Sequence, residues 1–344
     1  MNPVPPVPAD PLPVRNPGPV PVAAVARRIR ESARRGFEAG AHELHFHALG
    51  TRCRVSFIAA QPAAAGRFAE AVLDWMARFE ATYSRFLPDS LLSQVNQAAG
   101  QAWMAIDPET SRLLDLCHQL HFLTQGLLDP TALPLIQLWD WRLARVPSDA
   151  EIAAARAMTG WRRVRRAPGR VLLPAPGMAL DLGGIGKEYA VDEVVRLAAS
   201  HGIPGLLVDF GADVRVAGPP PDGRPAWVIG LENPDSPGSA WGTLVLREGA
   251  VATSGDYLRG FNAGGRRHGH ILDPRTGWPV DNGCRAVNVW APSCTQAGML
   301  STAAFVLGEV EGLRLLRSSP HVEGCLLTRH GRRSTPRFHE YLAS

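Results

Sequence analysis

Lysine is nearly absent from this chain. Of its 36 basic residues only Lys187 is a lysine, which leaves 35 arginines (36 − 1). Arginine presents a wide planar guanidinium, whereas lysine presents a compact charge on a slim stem. A position that keeps lysine therefore favours a confined contact, with a phosphate oxygen or a ring carbonyl as the candidate ligand. The alternative is the chance survival of one lysine.

Closely spaced cysteines and long apolar runs are also missing. The five cysteines are odd in number, widely separated and without a Cys-x-x-Cys pair. This argues against a disulfide framework or a zinc site and indicates a reducing compartment. No run approaches the roughly 20 apolar residues of a membrane-spanning helix, so no membrane span is expected.

The first 40 residues lack the pattern of an export signal. Residues 1–20 hold eight prolines and no continuous apolar core of the kind that a signal peptide needs. We expect residues 1–40 to form a disordered, proline-rich tail and the protein to be cytoplasmic. The arginine clusters at 26–35 and 161–166 lack interleaved aromatics, so we expect solvated surface there and no nucleic-acid site.

Hydrophobic spacing predicts a mixture of helices and antiparallel strands without strict strand–helix alternation, which is typical of an α+β fold. No low-complexity linker divides the rest of the chain, so residues 41–344 are predicted to form one two-lobed catalytic domain. Apolar residues at helical spacing mark the helices, and alternating or buried apolar runs mark the strands. The predicted helices span 66–86, 107–126, 148–160, 187–202 and 295–308, and the predicted strands lie within 42–59, 171–184, 205–211, 226–232, 243–247 and 285–291.

A glycine turn surrounds the single lysine, in the sequence DLGGIGKEYA at 181–190. Its three glycines let the backbone approach a ligand closely, and the amides that open the following helix carry the positive end of the helix dipole. This layout suits a phosphate. It is not a P-loop, because Asp181 and Glu188 replace the first glycine and the final Ser or Thr, and it lacks the dinucleotide fingerprint. A tight turn without a ligand is the alternative.

A second group of candidate residues lies in segment 254–280, which contains Ser254, Gly255, His270 and Asp273. Residues three apart point to opposite faces of an extended strand, so a turn must bring the side chains of His270 and Asp273 together if they cooperate. An Asp-Pro pair often only opens a turn, which is the alternative for Asp273.

Nine stretches, in order along the chain, resemble the ApbE family of FAD:protein FMN transferases. They cover roughly residues 47–308, and their common order and spacing is more specific than any one of them. The stretches are ALGTRCRVSF, YSRFLPDSLLSQVN, GLLDPTALPLIQLWDW, ALDLGGIGKEYAVDEV, LLVDFGADVRVAG, VIGLENP, AVATSGDYLRGF, GHILDPRTGWPV and TQAGMLSTAAFVLG.

The resemblance implies a T-fold-like domain that carries out flavin transfer. Such enzymes bind FAD and Mg²⁺, split the pyrophosphate of FAD, and attach FMN through a phosphoester to a Thr or Ser hydroxyl of a target flavoprotein, releasing AMP. This chemistry depends on positioning and charge neutralisation and on a base for the acceptor hydroxyl. We predict Asp273 as that base and His270 as an orienting group or phosphate donor. A flavin carrier without turnover and a Mg²⁺-dependent FAD pyrophosphatase are the alternatives.

The resemblance also assigns the other site residues. A backbone carbonyl of the glycine turn, at Gly184 or Gly186, and the hydroxyl of Thr302 fall on metal-ligand positions. Leu49 stands where the family usually has a methionine against the flavin. The full set on FAD-contacting positions is Leu49, Phe86, Asp129, Asp181, Lys187, Ser254, Gly255 and Leu272.

Two positions depart from the family pattern. The helix at 295–308 usually carries an Asp four residues before the Thr, both as metal ligands, but that position is Gly298 here. The residue after the lysine is usually glycine, but here it is Glu188. One hypothesis is that Glu188 has taken over as ligand, with Gly298 leaving room for its side chain. The other is a weakened or metal-free descendant that only holds flavin, with Glu188 a solvated residue of the first helical turn.

Overall fold

The computed structural model describes residues 12–140, 143–257 and 259–343, and these fold into a single domain of mixed helix and sheet. The helices are α1 (Val22–Ser32), α2 (Pro62–Tyr83), α3 (Leu91–Gln97), α4 (Pro108–Leu123), α5 (Leu133–Leu138), α6 (Asp149–Ala157), α7 (Gly186–Ser200) and α8 (Cys294–Ser318). The strands are β1 (Val14–Arg15), β2 (Arg34–Glu38), β3 (Ala41–Ala48), β4 (Thr51–Phe57), β5 (Trp103–Ala105), β6 (Arg165–Ala167), β7 (Arg170–Leu172), β8 (Leu206–Phe210), β9 (Val214–Ala217), β10 (Trp227–Glu232), β11 (Ala240–Leu246), β12 (Gly249–Gly255), β13 (Gly260–Ala263), β14 (Arg266–Gly269), β15 (Leu272–Asp273), β16 (Trp278–Pro279), β17 (Cys284–Ala291), β18 (Glu323–Thr328) and β19 (Gly331–Ser334). The predicted α+β class is confirmed.

A nine-stranded sheet in the order β19-β18-β17-β12-β9-β8-β4-β3-β2 organises the fold. All of its neighbouring strands are antiparallel. A smaller sheet, β1-β5-β7-β6, lies apart from it. The strands predicted from alternation at 42–59 form β3 and β4, and their pairing in register from His42↔Phe57 to Ala48↔Thr51 explains that alternation.

Helices cover one face of the large sheet. α1, α2, α7 and α8 bury their apolar stripes against the sheet and one another, and large side chains such as Phe46, Met76, Phe210 and Leu300 are fully enclosed there. A second, smaller core on the same sheet includes Trp227 of β10. The two helices α7 and α8 thus lie in contact over the sheet, which brings their residues within reach of each other.

The N-terminal prediction was wrong for residues 12–40. Val25 and Ile29, one helical turn apart, are buried where α1 packs against α2, and the Arg28 guanidinium lies 2.6 Å from the Glu80 carboxylate. Residues 34–38 extend the large sheet as its edge strand β2. The proline-rich composition gave no sign of this apolar stripe. Residues 1–11 of the predicted tail lie outside the described residues.

The chain just before the glycine turn also differs from expectation. A strand was predicted in the second half of 171–184, but residues 178–182 form none. Instead the Leu180 N–H donates to Asn96 Oδ1 (2.7 Å) and Asn96 Nδ2 donates to the Leu180 carbonyl (3.0 Å). One side-chain amide therefore satisfies the backbone groups that a neighbouring strand would otherwise pair.

The predicted helix end at 308 coincides with a break in α8. Gly308 has φ 79° and ψ −169°, which is outside the helical region, and a second helical segment then continues to Ser318. Asn282 Nδ2 donates to the carbonyls of Phe305 (2.9 Å) and Val306 (3.2 Å), and a helix break leaves carbonyls of this kind free. The segment after Gly308 lies beyond the predicted helices.

All five cysteines are buried and free. Within the described ranges, no helix combines the length and apolarity that crossing a membrane requires.

Asp192 of α7 fixes the start of α8. Its Oδ1 accepts from the Cys294 N–H (2.8 Å) and from Arg215 Nη1 (2.6 Å), and its Oδ2 accepts from the N–H (2.9 Å) and hydroxyl (2.7 Å) of Thr295. One largely buried carboxylate therefore joins α7, α8 and strand β9.

We predict that Asp192→Ala lowers the free energy of unfolding by about 2–4 kcal/mol, because it leaves a partly buried guanidinium and two helix-start amides without their acceptor. Denaturant unfolding measures this. Glu311→Ala, which breaks an exposed ion pair with Arg314 on α8, is the control and should change stability by less than about 0.5 kcal/mol. Equal effects of the two substitutions would contradict the assignment.

Candidate functional site

The glycine turn opens α7 toward a potential ligand. The helix begins at Gly186, and no side chain in the described structure caps its first turn. The Gly186 N–H already donates to the Leu182 carbonyl (2.6 Å), so an external acceptor would take the amides of Lys187 and Glu188. Gly184 in the turn is exposed, and a Cβ built on it would meet nothing within 4 Å. The predicted phosphate-binding layout therefore has open space in front of it.

Lys187 forms an ion pair at the start of this helix. Its Nζ donates to Asp213 Oδ2, just before β9, and lies 3.8 Å from Glu188 Oε1. Both carboxylates are buried, and about a quarter of the Lys187 side chain (27%) stays exposed. The compact ammonium thus lies between two carboxylates, a space that suits a slim stem better than a planar fork.

The electrostatics of this cluster favour a charged lysine. Burial opposes its charge, but the nearby Glu188 and Asp213 carboxylates outweigh burial and raise the pKa of Lys187. Burial, together with repulsion from Glu188, raises the pKa of Asp213. One ammonium is therefore shared by two carboxylates, which leaves the cluster with a surplus negative charge when both are ionised (+1 − 2 = −1).

Glu188 occupies the space that Gly298 leaves empty. The residue is only 7% exposed, so the alternative of a solvated first-turn residue was wrong. A Cβ built on Gly298 would lie 2.5 Å from Glu188 Cγ and 3.0 Å from its Oε1. The glycine on α8 and the longer acid on α7 are therefore complementary in shape. Glu188 Oε2 is buried and has no hydrogen-bond partner among the described residues.

Thr302 lies one turn after Gly298 on the same face of α8. Its hydroxyl is 2.8 Å from the Ser254 hydroxyl, which is also 2.8 Å from the hydroxyl of Ser301. The structure thus brings together Ser254 at the end of β12, Thr302 and the neighbouring Ser301 as a group of three hydroxyls.

The residues in this region fit a Mg²⁺ ion. They offer a carboxylate with an unpartnered buried oxygen at Glu188, a hydroxyl at Thr302 and a turn at Gly184, and oxygen is the ligand atom that Mg²⁺ prefers. In the described chain, no three His, Cys, Asp or Glu side chains converge as a metal cage. Mg²⁺ usually takes one or two protein carboxylates and completes its shell with water and substrate phosphate.

Phe86 and Asp181 are linked by an arginine that the sequence reasoning missed. The Arg85 guanidinium lies 4.5 Å from the centre of the Phe86 ring and its Nε lies 3.3 Å from Asp181 Oδ1. Phe86 is 79% exposed, which suits a ring that receives an aromatic ligand. Burial raises the pKa of Asp181, against the opposing charge of Arg85.

The carboxylate of Asp129 is engaged within the protein. Its Oδ1 accepts from the N–H and hydroxyl of Thr131, and its Oδ2 accepts from the Trp161 N–H at 3.1 Å. The Asp181 N–H donates to the neighbouring Pro130 carbonyl at 2.7 Å. Asp129 therefore shapes the turn beside Asp181, and its direct contact with FAD stays a prediction.

Asp273 is clamped by an arginine two residues later. Arg275 reaches its carboxylate with Nη2 at 2.7 Å and Nε at 2.9 Å, and the Gly277 N–H donates to the Asp273 carbonyl at 2.7 Å. Trp139 Nε1 donates to the Gly277 carbonyl at 2.9 Å. The turn is therefore well fixed, but Asp273 must loosen its pairing with Arg275 before it can accept a proton.

His270 lies at the surface between β14 and β15 and forms a hydrogen bond with the backbone of Arg259. Desolvation by surrounding protein atoms and the charge of Arg259 lower the pKa of His270 to about 4, with smaller contributions from Lys187 and Arg267. Its imidazole is therefore neutral at pH 7. A neutral ring suits an orienting group better than a cation that donates hydrogen bonds to phosphate.

The remaining predicted residues are Leu49, Gly255 and Leu272. Leu49 adopts φ 52° in the turn between β3 and β4, and its N–H donates to Glu80 Oε2 at 3.0 Å. A Cβ on Gly255 would lie 2.7 Å from the Tyr257 ring. Leu272 is half-buried in β15. Contacts of these three residues with FAD stay predictions.

Sequence reasoning missed three charged residues: Arg85, Asp213 and Arg275. Each lies inside a stretch that carried the family resemblance, and each is identified by its partner in space. Arg85 and Arg275 flank predicted site residues along the chain, so adjacency was an available signal. Asp213 gave none, because 26 residues separate it from Lys187.

Known proteins resemble this chain over most of its length. A family model described as the ApbE family matches residues 49–326. FAD:protein FMN transferase of Treponema pallidum is 32% identical over 300 residues, covering 81% of this chain and 82% of the relative. The Vibrio cholerae protein of the same name is 34% identical over 241 residues, covering 69% and 72%.

Solved structures give the same result. The crystal structure of the ApbE protein from Thermotoga maritima matches with a TM-score of 0.81 at 32% identity, covering 88% of this chain and 100% of that one. The flavin transferase ApbE from Vibrio cholerae matches with a TM-score of 0.78 at 28% identity, covering 90% and 100%.

We predict that Gly298→Ala destabilises the protein by about 1–3 kcal/mol, because the added methyl overlaps the Glu188 side chain. The same change in a Glu188→Ala background removes the overlap, so alanine should then stabilise the helix by up to about 1 kcal/mol. Denaturant unfolding of the four proteins measures both effects. The same sign in both backgrounds would contradict the packing of Glu188 against Gly298.

We predict that the His270 imidazole stays neutral down to about pH 5, because desolvation and nearby guanidinium groups disfavour its charged form. NMR titration of the ring resonances, assigned with His270→Gln, measures the pKa. A midpoint at or above the ordinary value of about 6.5 would contradict this account.

Proposed function

The chain belongs to the ApbE family, and on that premise we propose that it transfers FMN from FAD to a Thr or Ser hydroxyl of an acceptor flavoprotein. The observation that carries the proposal is the meeting of three groups at one helix junction. These are the uncapped start of α7, the charged Lys187, and the buried Glu188 facing Gly298 of α8. Together they offer an anion site beside an oxygen-rich cation site, as splitting a pyrophosphate requires.

In this proposal the start of α7 holds the phosphates of FAD. Its free amides donate hydrogen bonds, and the Lys187 ammonium adds a point charge whose position Asp213 fixes. Phe86 and Arg85 receive an aromatic ring of FAD at the exposed edge of the site. These groups position the substrate, and positioning is the main contribution of protein to this class of reaction.

Glu188, Thr302 and a carbonyl at Gly184 would hold Mg²⁺. When bound, the ion supplies neutralisation of the charge that develops on the phosphate oxygens. Glu188 suits this role because its Oε2 lacks a partner in the described structure. Thr302 is oriented by its contact with Ser254. Gly298 contributes by its missing side chain.

The transfer step makes one bond and breaks one. The acceptor hydroxyl oxygen attacks the phosphorus of the FMN half of FAD, and the bond from that phosphorus to the bridging oxygen breaks, so AMP leaves with the bridging oxygen. The hydroxyl proton passes to a base, for which we propose Asp273. Arg275 must release the Asp273 carboxylate for this, so acceptor binding is proposed to displace that pair.

Incubation with FAD, Mg²⁺ and candidate acceptor flavoproteins tests the proposed function. We expect acid-stable flavin fluorescence on an acceptor protein, in one-to-one yield with AMP. Free FMN and AMP without covalent flavin would show a pyrophosphatase, and intact bound FAD would show a carrier; both results would overturn the proposal. Asp273→Asn should abolish transfer while leaving FAD affinity within about twofold, since it keeps the shape of the turn.

The assignment of Glu188 as a metal ligand can be tested by a measurement that does not depend on turnover. Binding of Mn²⁺, a spectroscopic substitute for Mg²⁺, is followed by the loss of its free EPR signal. We predict that Glu188→Gln weakens this binding at least about 10-fold. Glu193→Gln, on the same helix and paired with Arg196, is the control and should have no effect.

A compensating change makes the test reciprocal. Glu188→Gly together with Gly298→Asp returns the carboxylate to α8 and should recover most of the Mn²⁺ affinity. Unchanged affinity in Glu188→Gln would refute the assignment and favour Asp273 as the carboxylate.

A further inference from the structure

A cavity lined by arginine lies beside the turn that carries Asp273. It has a volume of about 260 Å³ and lies between hairpin β13–β14, residues 280–285 and the end of β18. Its charged lining consists of Arg266, Arg267, Arg285, Arg329, Asp256 and Asp281. Four guanidinium groups against two carboxylates leave a formal charge of +2 (4 − 2).

The internal carboxylates leave these arginines largely free to bind something else. Arg266 Nη2 lies 3.0 Å and Arg329 Nη2 3.4 Å from Asp281, yet 71% and 65% of the two arginine side chains remain exposed. A guanidinium has five N–H donors, so each keeps most of them. Arg266 and Arg329 therefore share the Asp281 carboxylate and keep donors for a second acidic group.

The inner pair of arginines is also under-neutralised. Arg267 Nε and Arg285 Nε lie 3.8 Å and 4.0 Å from the Asp256 carboxylate. These distances are too long for hydrogen bonds, and Asp256 Oδ1 has no hydrogen-bond partner among the described residues. Arg267 Nη2 donates to the backbone carbonyl of Asp256, and Arg285 Nη1 lies 3.6 Å from the exposed Asp235 carboxylate. The two inner guanidinium groups therefore have only loose carboxylate partners and keep donors for a bound acid.

The cavity adjoins the segment that carries His270 and Asp273. Val280, which lines the cavity, donates its N–H to the Ile271 carbonyl (2.9 Å). Arg267 precedes His270 by three residues, so their Cα atoms are at most about 11 Å apart. An acceptor bound at Asp273 could therefore extend into the cavity.

We propose that this cavity binds an acidic segment of the acceptor protein, close in sequence to the hydroxyl that receives FMN. The inference rests on the proposed function. Carboxylates match the fork of arginine in two-point hydrogen bonds, and surplus positive charge also speeds the encounter with an acidic partner. A space of about 260 Å³ is smaller than a typical cofactor pocket, so it suits one or two side chains. The phosphates of FAD have their own site at α7.

Direct binding to the full chain, without FAD, gives the first test. The probe is a fluorescein-labelled hexaglutamate peptide, followed by anisotropy, with hexaglutamine as its neutral counterpart. We expect hexaglutamate to bind and hexaglutamine not to. Arg266→Glu with Arg329→Glu should weaken binding at least about 10-fold, whereas Arg67→Glu with Arg112→Glu, the same charge change on exposed positions of α2 and α4, should weaken it less than about twofold.

Equal weakening by the two double variants would overturn the proposal, because binding would then follow net charge alone. Tighter binding of inorganic phosphate than of hexaglutamate, measured by competition, would also overturn it in favour of a small-anion site. Thermal melts followed by circular dichroism establish that the variants are folded. Because this test uses neither FAD nor transfer, its failure is distinct from failure of the proposed function.

A kinetic comparison connects the cavity to the acceptor. Two peptides carry one threonine flanked either by glutamates or by glutamines. We expect the glutamate peptide to have a KM at least about 10-fold lower at similar kcat, and this advantage to disappear in Arg266→Glu with Arg329→Glu while FAD affinity stays the same. Equal KM values for the two peptides with the unmodified enzyme would overturn the proposal, and if neither peptide accepts FMN, the binding test decides.

Discussion

The ion pair between Lys187 and Asp213, with Glu188 beside it, is the interaction on which the site depends. It places the only lysine of the chain between two buried carboxylates. Losing that ammonium would leave buried negative charges without a partner, a change that is strongly destabilising in proteins. An arginine would bring a wider, planar group into the same space. The shape and charge of the surroundings therefore explain why position 187 carries a lysine.

The scaffold holds the junction between α7 and α8 in place. The nine-stranded sheet supports α7 and α8 side by side, and Asp192 ties the start of α8 to α7 and to β9. That contact sets the spacing at which Glu188 fills the gap over Gly298. Stability and proposed chemistry therefore share the same residues, since a shift of α8 would both open a void and separate Glu188 from Thr302.

Short-range sequence patterns predicted most of the helices and strands. Contacts between residues far apart in the chain account for the features that these patterns missed. The helices predicted to begin at 107 and 148 do begin there, capped by Asp107 and Ser148, because a cap depends on neighbours within one turn. The strand expected at 178–182 is absent because Asn96, more than 80 residues away, satisfies the backbone of Leu180. In the site, the exchange of Glu188 for Gly298 could be read from two sequence departures, whereas Asp213 could only be found from its contact with Lys187.

The central claim is that Glu188 supplies the carboxylate that Gly298 cannot. A crystal structure with FAD and Mn²⁺, using anomalous scattering to locate the metal, tests it most directly. The account predicts an anomalous peak within about 2.0–2.3 Å of a Glu188 carboxylate oxygen, with Thr302 in the same coordination shell. A peak elsewhere, with Glu188 still packed against Gly298 and touching no metal, would contradict it.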